Sequence, residues 1–116
     1  MSFKSKALIA SALSAGVLAL GLSAPAAAAD EAAAKTLAKQ SGCLKCHAVD
    51  KKKDGPAYKE VAAKYKGKAD AVDKLTHHVT SGEKVKFEDG HEEEHKIVKS
   101  KDPAAIKNLV EWILSL

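Results

Sequence analysis

The 116-residue chain contains no arginine, and its one methionine is Met1. Without arginine there is no planar fork for bidentate phosphate recognition. The formal net charge of +4 is modest. Together these features exclude a nucleic-acid-binding face. Aromatic residues are nearly as scarce, with only Tyr58, Tyr65, Phe87 and Trp112 beyond residue 29. A chain this short and poor in large side chains cannot bury enough of its own surface to be secure, and such chains use a staple such as a disulfide, a metal or a cofactor. The two cysteines, Cys43 and Cys46, are too close together to serve as that staple. A bridge between them would close a very small loop and constrain almost nothing.

The first 29 residues differ from the rest. Lys4 and Lys6 precede a run from Ala7 to Leu22 built mostly of Ala, Leu, Ile, Val, Ser and Gly, and "SAPAAAAD" follows. A positive start, an apolar middle and small residues before Asp30 are the three parts of a secretory leader, which predicts cleavage after Ala29. An uncleaved anchor is the alternative, because the apolar run is nearly long enough to span a bilayer. Cleavage would leave a single domain over residues 30–116 and, by removing Lys4 and Lys6, lower the net charge to +2.

Glycine and proline punctuation divides that domain into four helical segments, an all-α pattern. Asp30 is placed to cap a helix over residues 31–41, stopped by Gly42. Tyr58, Val61, Ala62 and Tyr65 recur at i, i+3, i+4 and i+7 within a second helix over residues 57–65. A third covers residues 70–80, with Ala71, Val72, Leu75 and Val79 facing inward. The fourth has Asp102 at its N-cap, Pro103 at its first turn, and an apolar stripe of Ile106, Leu109, Val110 and Ile113 widened by Trp112. Between the last two lies "EKVKFEDGHEEEHKIVKSK", where alternation around Val85 and Phe87 and the Asp89-Gly90 turn predict a short polar hairpin rather than a solvated loop.

The chemistry sits in Cys43-Leu44-Lys45-Cys46-His47. A thioredoxin-like dithiol requires a βαβ setting that this helical pattern lacks. Zinc would need a partner pair at a usual spacing, for which His91 and His95 are only a loose match. The remaining reading is C-x-x-C-H, the c-type haem attachment signature. Two thiols at this spacing reach the two vinyl groups on one haem edge, and the next residue brings an imidazole under the iron.

From "CLKCHAVD" through "GPAYKEVAAKYKG" to the closing "LVEWILSL", the chain resembles a small bacterial class I cytochrome c over all of residues 30–116. The resemblance implies an all-α fold around one covalent haem c, with the first and last helices crossing. It also implies that the Pro56 carbonyl accepts a hydrogen bond from the His47 ring. The expected role is non-enzymatic: a monomeric periplasmic electron carrier that meets redox protein partners at an exposed haem edge. Lys45, Lys51, Lys52, Lys53 and Lys84 are available to steer acidic partners.

One departure from the family is plain. The loop before the last helix, where the family carries its distal methionine, has none. It offers His91 and His95 instead. His95 lies 17 residues before Trp112, close to the family's spacing, and is the expected second iron ligand beside His47. His91, His77 and His78 are the alternatives, and His78 also lies where relatives place a basic residue against a haem propionate. Imidazole in place of a thioether would lower the reduction potential. If His95 detaches easily, the second functional class is a protein that binds or senses NO or CO.

Overall fold

The computed structural model describes residues 28–116 together with Gly16. The leader expected over residues 1–29 therefore lies, apart from Gly16, Ala28 and Ala29, outside the described residues. Four α-helices carry the fold: α1, Glu31–Gln40; α2, Tyr58–Tyr65; α3, Ala71–Thr80; and α4, Pro103–Leu114. A 3-10 turn, Cys43–Lys45, follows α1, and strands β1, Lys84–Lys86, and β2, Glu92–Glu94, lie between α3 and α4. The expected all-α architecture with a short hairpin is the one observed.

Local chemistry sets the helix ends. The Asp30 carboxylate accepts from the Ala33 amide at 3.0 Å, and the Asp102 carboxylate accepts from the Ala104 amide at 3.0 Å. Each satisfies one of the amides that a helix start leaves without a partner. Gly42 and Gly67 end α1 and α2 in the left-handed region, both at φ +76°, where a side chain would be strained. The third helix begins differently, because Asp70 makes no side-chain capping bond and instead pairs with Lys74 one turn on, at 3.0 Å.

The apolar stripes of all four helices meet in one core. Ala34, Leu37 and Ala38 of α1 pack with Leu109, Val110 and Ile113 of α4, and Leu75 and Val79 of α3 close one side. The start of the first helix is also joined to the middle of the last by a reciprocal pair: the Asp30 amide donates to Asn108 Oδ1 at 2.8 Å, and Asn108 Nδ2 donates to the Asp30 carbonyl at 2.9 Å.

β1 and β2 pair antiparallel with Lys84 opposite Glu94 and Lys86 opposite Glu92, so opposite charges face each other across the ladder. The chain then returns along α3. The His95 amide donates to the Glu83 carbonyl, the Val98 amide to the Val79 carbonyl, and the Lys99 amide to the Ser41 hydroxyl, each at 2.9 Å.

Candidate functional site

Between the helices and the hairpin is a cavity of about 770 Å³, lined among others by Cys43, Cys46, His47, Pro56, Tyr58 and His95. That volume lies in the upper part of the range for cofactor and ligand sites, roughly 300–1,000 Å³. The shortage of large side chains is thus matched by space in the middle of the fold.

One wall is made by the cysteine segment. In the 3-10 turn the Cys46 amide donates to the Cys43 carbonyl at 3.2 Å, and the His47 amide donates to the same carbonyl at 2.9 Å. Residues three apart in such a turn eclipse one another, which brings both thiols to the same side. The two cysteines are not bridged to each other. Burial pushes the Cys43 thiol up, the opposite of what a redox-active thiolate needs.

His47 is held by its surroundings. Its Nδ1 lies 2.7 Å from the Pro56 carbonyl oxygen. A carbonyl only accepts, so Nδ1 carries the proton and Nε2 keeps its lone pair. The Tyr58 ring stacks on the imidazole, with centroids 5.2 Å apart, and Trp112 meets Tyr58 edge-on at 5.7 Å. A methyl group on Gly55 would stand 2.5 Å from the His47 ring. Glycine there is required by close approach rather than by backbone angle.

The opposite wall comes from the segment after β2. The His95 ring centre is 6.2 Å from that of His47. Its Nδ1 is shut off from solvent and has no hydrogen-bond partner. Burial, then the neighbouring His78 and His47 rings, hold this imidazole below its ordinary pKa, which favours the neutral, lone-pair-bearing form. Beside it, His78 lies 4.1 Å away centre to centre. The Nδ1 of His78 bonds the Glu83 carboxylate at 2.6 Å. His77 is exposed and touches the other Glu83 oxygen at 3.4 Å. His91 is at the hairpin turn, bonded to the Asp89 carboxylate and stacked on Phe87.

Known proteins share the fold. Residues 31–116 match the family model described as cytochrome c. The chain belongs to the cytochrome c family. It is 40% identical over 80 residues to cytochrome c-552 of Hydrogenobacter thermophilus, covering 69% of this chain and 78% of that one. It is 44% identical over 80 residues to cytochrome c-551 of Allochromatium vinosum, covering 69% and 82%. Among solved structures, the class 1 cytochrome MtoD of Sideroxydans lithotrophicus ES-1 is 68% identical with a TM-score of 0.73, covering 76% of this chain and 97% of that one. Nitrosomonas europaea cytochrome c552 is 34% identical with a TM-score of 0.56, covering 71% and 98%.

This is therefore a small class I monohaem cytochrome, and its cofactor is a covalently attached haem c. The cavity suits that group. Cys43 and Cys46 would tether it and His47 would face its iron from one wall, with a second imidazole on the other. His47 and His95 stand at 6.2 Å. Sequence reasoning did not single out Glu83, since nothing in its spacing ties it to His78 and His95.

Proposed function

We propose that this cytochrome is a periplasmic one-electron carrier whose haem is tethered by Cys43 and Cys46 and ligated by His47 and His95. The haem supplies a ferric–ferrous couple, and the chain's residues set where that couple lies. The observation that carries the reading is the 6.2 Å separation of the two imidazoles across the cavity, with a His95 ring nitrogen left without a partner.

On one side, Pro56 fixes the His47 tautomer, as a hydrogen-bonded partner does for metal-bound histidines generally. On the other, a neutral imidazole replaces the thioether that raises potentials in Met/His cytochromes, so the potential falls below theirs. Export to the periplasm is supported by the three-part leader pattern of residues 1–29. Exposed Lys45, Lys51 and Lys84 are available to acidic redox partners. Lys52 and Lys53 are partly engaged, with Glu88 and with the Leu44 carbonyl.

Electron paramagnetic resonance of the ferric holoprotein tests the ligand set. A low-spin bis-imidazole signal is expected, and it should be altered in His95→Ala. A signal identical in wild type and variant would dispose of His95 as a ligand. Rapid, complete CO binding by the ferrous wild type at neutral pH would favour a ligand-binding role over a simple carrier.

A further inference from the structure

The Glu83 carboxylate and the His78 ring form a second donor group in the same cavity. His78, Glu83 and His95 all line it, and the two imidazoles are 4.1 Å apart. Among carboxylate–imidazole contacts at the cavity wall, His78 Nδ1 to Glu83 Oε1 is short, at 2.6 Å. An ionised carboxylate only accepts, so His78 Nδ1 carries the proton and its Nε2 keeps the lone pair. A carboxylate behind one imidazole nitrogen orients the ring and raises the basicity of the other nitrogen, the arrangement that readies a histidine for a metal. His47 is prepared in the same way by the Pro56 carbonyl. His95, by contrast, has a ring nitrogen with no partner, and its main chain is held to the Glu83 carbonyl by one bond of 2.9 Å.

We propose that His78, oriented by Glu83, is a second distal donor that takes the iron when His95 leaves it. The inference rests on ligation by His95 in the resting protein. His78 is in the last turn of α3, so its backbone stays in place while the segment carrying His95 moves. A carrier built this way would keep two imidazoles on the iron through a rearrangement of its distal segment, and would not open a vacant position to small ligands.

Four ferric holoproteins compared by electron paramagnetic resonance, with CO-binding rates of their ferrous forms, decide the matter. Wild type should give a low-spin bis-imidazole signal, and His78→Ala should stay low-spin. His95→Ala should remain low-spin with shifted g values, and His95→Ala/His78→Ala should become high-spin and bind CO at least tenfold faster than His95→Ala. Adding Glu83→Ala to His95→Ala should weaken the replacement ligand and speed CO binding about 10–100-fold, the usual cost of losing such a partner. Glu83→Gln, which keeps an acceptor, should recover part of that loss.

A His95→Ala protein that is already high-spin, with the CO kinetics of the double variant, overturns the proposal and leaves His95 ligation standing. A His78→Ala protein that loses the wild-type signal while His95→Ala keeps it unchanged overturns both, making His78 the resident ligand. Indifference of the His95→Ala protein to Glu83→Ala removes Glu83 from its assigned role and overturns the proposal as stated.

Discussion

Replacing Gly55 with alanine drives a methyl group into the His47 imidazole. The added carbon would lie 2.5 Å from Cε1, 2.9 Å from Nδ1 and 3.0 Å from Nε2 of His47. Neither side can yield easily. The Gly55 amide donates to the Cys46 carbonyl at 2.8 Å, its carbonyl accepts from Lys53 at 3.0 Å, and His47 is bound to Pro56. Overpacking of this kind costs about 1–3 kcal/mol, and loss of the His47–Pro56 hydrogen bond adds about 1 kcal/mol. A total of roughly 2–4 kcal/mol lowers the melting temperature of a domain this size by about 10–30 °C. Gly67→Ala is the control. Its φ of +76° makes alanine strained, but no atom lies within 4 Å of the added carbon, so it should lose about 1–2 kcal/mol of stability alone. Urea unfolding and reduction potential, measured on both holoproteins, separate the two effects. Gly55→Ala should change stability and potential together, and Gly67→Ala only stability. A Gly55→Ala protein within about 0.5 kcal/mol of wild type, with an unaltered potential, would refute the close-approach reasoning.

Three further outcomes are expected. Leu109→Ala, at a residue 1% exposed beside the cavity, should cost about 2–5 kcal/mol in urea unfolding. Asp102→Ala removes a capping bond and should cost about 1 kcal/mol, whereas Asp70→Ala, which loses only an exposed ion pair, should stay within about 0.5 kcal/mol of wild type in the same assay. The Asp89 carboxylate holds the His91 imidazole above its ordinary pKa. The stabilisation from that pair is therefore fully present below about pH 6.5 and is lost as pH rises through the raised folded value. Proton NMR should place the His91 midpoint above 6.5, and Asp89→Asn should lower it.

Much of the fold was legible because its signals are local. Asp30, Gly42, Asp102 and Pro103 mark helix ends through bonds to neighbours a few residues away, and the apolar stripes follow the helical period. The α3 start was less clear, since Asp70 has the right residue type but bonds Lys74 rather than the helix amides. The hairpin was legible from Asp89-Gly90 and the alternation before it. The cysteine motif named the cofactor's chemistry directly. What the sequence hid is how the chain turns after α3. Glu83 meets His78 through its carboxylate just past the helix end, and His95 through its carbonyl once the hairpin folds back. No periodicity or spacing encodes either meeting.

The segment from Ser81 to Lys101 reaches the rest of the molecule through few main-chain bonds, while the helices hold one another without it. Only Val98 of this stretch belongs to the buried core. It therefore has the properties of an interchangeable cassette. A stretch of similar length that kept the Val79 and Ser41 anchors and one apolar residue at position 98 could present a different donor atom to the same cavity. The helical frame would then fix how the haem is held, and an exchange of the cassette would shift the voltage at which the protein trades its electron.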